Sequence, residues 1–290
     1  MSESAPYGSL YLVATPIGNL GDMTERALAT LRSVPHVAAE DTRRTRGLLS
    51  HFGITGKELH TLDANASERQ VARVVELLKS GQDVAFATDA GTPGVSDPGR
   101  ALVQAAVAAG VPTISLPGAS AVTTAVALSG LVAGPFVFLG FLPRQGSGRK
   151  ELLRRILHET WPVVLFEAPH RMQETLSDLS AHCPLRPAAV CRELTKLHEE
   201  VLRGSLQELA QIQREWLGEV VIVLGETAPL PARGSSDDEL RQQARGLVEG
   251  GASAKATAQH LADITGRSRR EVYALVLEVK GSSEASDEAE

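Results

Sequence analysis

The chain has 290 residues, 43% hydrophobic and 22% charged, a composition far from the disordered and collagenous extremes and long enough for two globular units with a small appendage. Two cysteines without C-x-x-C spacing, Cys183 and Cys191, argue against a disulfide framework or a structural zinc site, and the lack of a basic-then-apolar leader or of ~18 consecutive apolar residues points to a cytoplasmic protein, neither exported nor membrane-embedded. The net charge of −6 opposes nucleic-acid binding, but Glu284, Asp287, Glu288 and Glu290 lie in a Ser-rich tail after Gly281, and the body without them carries only −2.

In chain order, buried strands are predicted at residues 10–15, 84–87, 113–116, 136–140, 163–166, 188–190 and 220–224. Between them run helical patterns such as Val71, Val74, Val75 and Leu78, ended by Gly81. This alternation predicts α/β layers on a largely parallel sheet. Pro117-Gly118, before the Ala-rich stretch 119–128, reads as a hinge, which gives an N-terminal α/β domain at 1–117 and a second at 118–232. The Pro- and Gly-containing stretch 228–235 reads as a linker to a helical module at 233–281, followed by a disordered acidic tail at 282–290.

The helical module carries its own punctuation. Ser236 and Glu239 spell a capping box, Gly250-Gly251 a stop, Ser253 a start, Gly266 a second stop, and Ser268 with Glu271 another capping box. Three short helices with a tight turn before the last fit a helix-turn-helix or generic three-helix packing. Arg269 and Arg270 in the first turn of the last helix oppose its dipole at roughly 0.3–1 kcal/mol each. A docked phosphate would relieve that conflict, with Lys255 as a second contact.

Three loops follow strands and hold chemistry-bearing residues. The segment 10–24 runs from a strand through a Gly-containing turn, yet neither G-x-G-x-x-G nor G-x-x-x-x-G-K-[ST] is met, so a plain strand-to-helix turn stays open. Residues 87–99 pack three Gly, two Pro and two Asp after a strand, with Asp89 where open α/β sheets bind their ligands. Residues 115–121 place small residues at the hinge, where Ser120 serves equally as a helix cap. No H-E-x-x-H, no G-x-S-x-G and no metal-ligand spacing among the eight histidines appears, so no metal is expected.

These loops, together with Ala39-Glu-Asp-Thr-Arg43, Gly140-Phe-Leu-Pro-Arg144, Glu167-Ala-Pro-His-Arg171 and Arg192-Glu-Leu-Thr-Lys196, resemble the tetrapyrrole methylase superfamily. Within it the likeness is to the ribosomal RNA small-subunit methyltransferase I family, over nearly Leu10 to Lys280. The first loop reads Thr15-Pro-Ile-Gly18 where the tetrapyrrole branch has Gly-x-Gly-Pro-Gly-Asp, which favours the RNA branch. The resemblance implies two α/β domains with S-adenosylmethionine in the cleft between them, a homodimer, and 2′-O-methylation of a cytidine ribose in the decoding region of 16S ribosomal RNA in the small subunit. It places Thr15, Pro16, Asp89, Ala90, Gly91, Thr92, Ala119, Ser120 and Ala121 around the cofactor.

A ribose hydroxyl is a weak nucleophile, so a base near its proton should contribute about 10²–10⁴-fold. Glu40, Asp41, Glu167 and Glu193 are the candidate carboxylates, and Arg43, Arg171 and Arg192 can orient carboxylates or hold phosphates; ordinary ion pairing explains the same residues equally. Arg44 and Arg46, and then Arg149, Lys150, Arg154 and Arg155 near Arg144, are the candidate RNA contacts beside the helical module. Two other readings remain: a small-molecule tetrapyrrole methylase, which has no use for that module, and a non-catalytic helix-turn-helix regulator, which predicts duplex DNA binding without turnover.

Overall fold

The computed structural model describes residues 7–63, 66–96, 99–227, 236–250 and 252–287. The chain divides into two compact units, residues 1–124 with 194–197, and residues 125–193 with 198–290. The division falls after Thr124 rather than at Pro117, and the C-terminal helices cluster with the second unit. The expected linker at 228–235 and Gly251 lie outside the described residues.

In the first unit β1 (Leu10–Val13), α1 (Glu25–Ser33), β2 (His36–Ala39), α2 (Thr42–His51), β3 (Glu58–Thr61), α3 (Glu68–Lys79), β4 (Val84–Ala87), α4 (Gly99–Ala108) and β5 (Thr113–Leu116) alternate regularly, and the division falls within the next helix, α5 (Ala121–Ser129). The strands form a parallel sheet in the order β3-β2-β4-β1-β5. A parallel sheet takes helices on both faces, so its inner strands are apolar throughout: all four residues of β4 are buried. Successive side chains serve opposite faces. Leu10, Ala38, Val84 and Phe86 meet Val74 and Leu78 of α3 and Leu102 and Ala106 of α4, whereas Val13, Val37, Ala85 and Ala87 meet Ala27 and Leu31 of α1 and Leu49 of α2. Thr24 caps α1, Asp41 caps α2, and Ser67 with Gln70 forms a complete capping box on α3.

The second unit contains β6 (Val137–Phe141), α6 (Ser147–His158), β7 (Val163–Glu167), α7 (Met172–His182), β8 (Pro187–Arg192), β9 (Glu200–Ser205), α8 (Leu206–Gln211) and β10 (Val220–Leu224). Its sheet runs β6-β7-β10-β8-β9, and only the β6–β7 pair is parallel. The largely parallel sheet expected from the alternation is therefore confined to the first unit. Only residues 193–199 separate β8 from β9, too few for the crossover of a dozen or more residues that a parallel neighbour requires. Leu165, Val190 and Ile222 centre a core closed by Ile156 of α6, Leu176 and Leu179 of α7, and Leu206 and Leu209 of α8.

Three further helices, α9 (Asp237–Glu249), α10 (Ala254–Thr265) and α11 (Arg269–Asp287), share a core of Leu240, Ala244, Ala258, Leu261, Val272 and Val276. The Ser236–Glu239 capping box forms, Ser253 caps α10, Gly266 adopts the left-handed conformation at its end, and the Ser268 hydroxyl accepts from the Glu271 amide. α11 continues through Gly281 to Asp287, where a disordered tail was expected; residues 288–290 lie outside the described residues. Among the described residues no helix is long and apolar enough to cross a membrane.

Burial pushes the His260 imidazole of α10 down to about 4, reinforced by the neighbouring His182. The unfolded chain takes up that proton near the ordinary value of about 6.5, so His260 favours the folded state fully above that pH. As pH falls from about 6.5 to about 4 the advantage disappears, by about 3 kcal/mol. Denaturant unfolding at pH 7 and pH 4.5 should show a smaller drop in His260→Phe than in the parent chain. Equal drops would show that protonation of His260 is not the cause.

Candidate active site

In the first unit the connections from β1 and β4 leave in opposite directions, toward β2 and toward β5 respectively. Open α/β sheets bind ligands at the carboxyl ends of strands where the winding reverses, here between β1 and β4. The first two expected loops meet at that point. The Thr15 amide donates to the Gly91 carbonyl at 2.9 Å and the Gly91 amide returns to the Thr15 carbonyl at 3.0 Å. The buried Thr15 hydroxyl donates to the Thr88 carbonyl and the Thr88 hydroxyl to the Gly91 carbonyl, both at 3.0 Å. Gly91 sits at φ +81°, a conformation that glycine adopts without strain.

The third loop is tied to the second by the Thr92 hydroxyl, which donates to the Ala119 carbonyl at 3.1 Å. A Cβ on Gly118 would stand 2.9 Å from the Ala14 Cβ, so the loops after β1 and β5 approach as closely as a glycine permits. Ala90 is exposed, while Pro16, Ala119, Ser120 and Ala121 are half-buried along the same carboxyl edge. Asp97 and Pro98 lie outside the described residues. Eight of the nine residues expected around the cofactor thus belong to three loops held together by backbone and threonine hydrogen bonds, and the ninth, Ala121, opens α5 directly after the third.

The carboxyl end of β2 adjoins this arrangement. The Asp89 carboxylate accepts from the Asp41 amide at 3.0 Å and stands 3.4 Å from Arg44. Glu40 is half-buried there. Asp41 caps α2 and pairs with Arg43 at 2.9 Å, and the Arg43 guanidinium together with the backbone amides of Arg43 and Arg44 holds its carboxyl at about 2. A carboxylate so weakly basic is poorly matched to accepting a hydroxyl proton near neutral pH. Its structural work is the helix cap.

The segment 194–197 clusters with the first unit and lies over Gly18. A Cβ there would meet the Lys196 Cγ at 2.4 Å, the Thr195 Oγ1 at 2.8 Å and the Leu194 carbonyl at 2.9 Å. Glu193 and Thr195 take positive φ values of 50° and 67°, a strained backbone for residues with side chains. Thr88, Thr195 and Lys196 are not among the residues expected from the sequence. The signal that points to them there is their place in motifs of which only other members are assigned.

In the second unit Glu167, at the end of β7, is buried inside a network. It pairs with Arg171, and its carboxylate accepts from the Thr175 hydroxyl at 2.7 Å and the Ala168 amide at 2.8 Å. Arg171 also donates to the Leu142 carbonyl at 2.9 Å. Arg149, expected to contact RNA, is buried instead, donating to the Asp178 carboxylate at 2.7 Å and the Thr175 hydroxyl at 3.2 Å. The helical face that carries it turns toward α7, which withdraws Arg149 from any RNA surface. Arg192 lies 3.2 Å from Glu200, which also pairs with Arg214, and the Glu193 carboxylate accepts from the Glu219 amide at 2.9 Å. The remaining expected RNA contacts, Arg44, Arg46, Lys150, Arg154, Arg155, Lys255, Arg269 and Arg270, are exposed.

Residues 9–210 match the family model described as tetrapyrrole (corrin/porphyrin) methylases. The chain is 42% identical over 276 residues to the ribosomal RNA small subunit methyltransferase I of Synechocystis sp., covering 94% of this chain and 99% of that protein. It is 40% identical to the protein of that name from Xylella fastidiosa, covering 92% and 98%. Among solved structures, uroporphyrin-III C-methyltransferase from Thermus thermophilus complexed with S-adenyl homocysteine shares the fold at a TM-score of 0.54 and 20% identity, over 76% of this chain and 98% of that one. Matched through both α/β units and through the helices beyond them, the chain belongs to the tetrapyrrole methylase family and, within it, to the ribosomal RNA small subunit methyltransferase I family.

Proposed function

We propose that this protein transfers a methyl group from S-adenosylmethionine to the ribose 2′-hydroxyl of a cytidine in the decoding region of 16S ribosomal RNA, acting as a homodimer on the assembled small subunit. The observation that carries the RNA reading is the 42% identity with a ribosomal RNA small subunit methyltransferase I across 94% of the chain, a span that includes the C-terminal helices. A tetrapyrrole methylase has no use for those helices.

The three tied loops suit a ligand bearing an ammonium group, a carboxylate, ribose hydroxyls and an adenine. They offer the Asp89 carboxylate, the backbone of exposed Ala90, backbone groups within 117–121, and small side chains that allow close approach. When bound, S-adenosylmethionine supplies a methyl carbon that the sulfonium already makes electrophilic. The contribution of the protein is then chiefly alignment of the acceptor oxygen in line with the leaving sulfur. Thr15, Gly91, Thr92 and Ala119 fix the loops, Asp89 and the exposed backbone hold the ligand, and the basic residues hold phosphates.

The test is methyl transfer from labelled cofactor to small ribosomal subunits, with naked 16S RNA and a tetrapyrrole in parallel and nuclease mapping of the label. Label on the ribose of one cytidine in the subunit is expected; label on the tetrapyrrole alone would overturn the RNA reading and leave the family membership intact. For the RNA surface, replacing Lys150, Arg154 and Arg155 by Ala should weaken RNA binding. It should also lower the log–log salt slope by about 2, at roughly 0.7 for each phosphate no longer neutralised. A salt slope equal to that of the parent chain removes α6 from the RNA interface.

A further inference from the structure

His36 opens β2, and Glu58 and His60 lie on the neighbouring edge strand β3. The register pairs His36 with Glu58 and Ala38 with His60. Because paired and alternate residues of parallel strands share a face, His36, Glu58 and His60 project to the same side of the sheet, with His36 and Glu58 at the amino-terminal ends of their strands and His60 two residues along. That end is opposite to the loops described above. The three side chains converge: His36 Nδ1 is 3.2 Å from His60 Nε2 and 3.5 Å from Glu58 Oε2, and His60 Nε2 is 3.8 Å from Glu58 Oε1. One ligand atom from each lies within 4.8 Å of the other two.

We propose that His36, Glu58 and His60 form a binding site for a divalent first-row transition ion, with zinc as the reference occupant. Two imidazoles and a carboxylate make a nitrogen-rich set that favours such ions over magnesium or calcium. Zinc–nitrogen bonds of about 2.0–2.1 Å at the tetrahedral angle put ligand atoms about 3.3 Å apart, and the observed separations start at 3.2 Å and 3.5 Å without an ion to draw them in. The two rings are tilted by 52° with centroids 5.3 Å apart, so their nitrogens converge and their faces do not stack. Three protein ligands leave a fourth position for water.

The surroundings supply what a metal-binding histidine needs behind it. His36 Nε2 hydrogen-bonds the Gln82 side-chain oxygen, which places the proton on Nε2 and leaves the Nδ1 lone pair directed at His60 and Glu58. Gln82 is set by the turn that ends α3, where its amide donates to the Leu77 carbonyl at 3.1 Å. The imidazoles are 9% and 8% exposed, whereas Glu58 is 56% exposed, so the ion would enter from the carboxylate side. Arg73 stands there, 3.6 Å from Glu58 Oε1, and neutralises the carboxylate until a metal arrives. Occupancy would tie the edge strand β3 to β2.

The experiment uses the full chain without a histidine tag, stripped with chelator, titrated with Zn²⁺ against a competing chelator and with Co²⁺ by visible absorption. One ion per chain is expected, with tetrahedral cobalt bands and a thermal midpoint that rises with Zn²⁺ and not with Mg²⁺. Gln82→Leu should weaken binding by about 10- to 100-fold through loss of the outer hydrogen bond, and Glu58→Gln by more. His60→Asn should abolish binding, but this buried position can fail to fold. Glu58→Gln, at an exposed position and checked by circular dichroism, is therefore decisive. Absence of stoichiometric binding by the folded parent chain overturns the proposal, as does unchanged affinity in Glu58→Gln.

Discussion

Glu167→Ala should destabilise the second unit by about 3–5 kcal/mol, the range for removing one partner of a buried ion pair. The carboxylate is the hub for Arg171, the Thr175 hydroxyl and the Ala168 amide. Its loss leaves a guanidinium only 11% exposed without a counter-charge, and one nitrogen of Arg171, Nη1, is already buried without a hydrogen-bond partner. Thr175 also receives Arg149, so the damage spreads across β7, α6 and α7. A fall in melting temperature on the order of 10 °C should accompany it. Glu167→Gln keeps acceptors for Thr175 and Arg171 and should cost less. The alternative role, general base, makes the opposite prediction: near-parental stability in denaturant with methyl transfer lost. That outcome would return Glu167 to the chemistry.

The layered α/β character of the chain was readable because both physical signals were strong. Apolar runs mark β1, β4, β5, β7 and β10, of which β4, β7 and β10 are buried almost throughout, and the helices carry explicit starts and stops, Gly81 after α3 and Ser236, Ser253 and Gly266 beyond the last strand. Three strands escaped that reading for distinct reasons. β3 and β9 lie at sheet edges, where Glu58, His60, Glu200 and Arg203 interrupt the apolar run, and β2 reads only His-Val-Ala-Ala. Missing β2 and β3 hid the histidine cluster, because sequence spacing carries no information about which residues lie opposite one another on adjacent parallel strands. The direction of the second sheet was hidden as well, since an apolar run such as Val220–Leu224 is equally suited to parallel or antiparallel neighbours.

The functional residues divide along the same line. Loops following strands were recognisable from their density of Gly, Pro and Asp, and the structure joins all three of them through Thr15, Gly91, Thr92 and Ala119. The charged residues were not sorted by sequence, because Arg149 and Lys150 are neighbours in one helix and one is buried while the other is exposed. Helical periodicity decides such a case only when the direction of the core is known. The same limit applies to Asp41, whose capping bond to the Arg43 amide depends on where α2 begins.

Asp89→Ala should raise the KM for S-adenosylmethionine by about 10- to 100-fold, the equivalent of one charge-assisted hydrogen bond of about 1.5–3 kcal/mol. Two roles converge on this carboxylate. It accepts from the Asp41 amide at 3.0 Å, joining the carboxyl ends of β4 and β2, and it stands beside Ala90 and Gly91 in the loop proposed to hold the cofactor. Asp89→Asn separates them, because an amide oxygen still accepts from Asp41 but carries no charge toward a bound ammonium group or ribose hydroxyl. If Asp89 serves the ligand, Asn and Ala should both raise KM, with cofactor binding by calorimetry weakened in step and stability lowered chiefly in Ala. If it serves only the link to β2, Asn should restore KM to near the parental value. A KM unchanged in both folded variants would remove Asp89 from the cofactor site and shift the ligand contacts to the backbone of the same three loops.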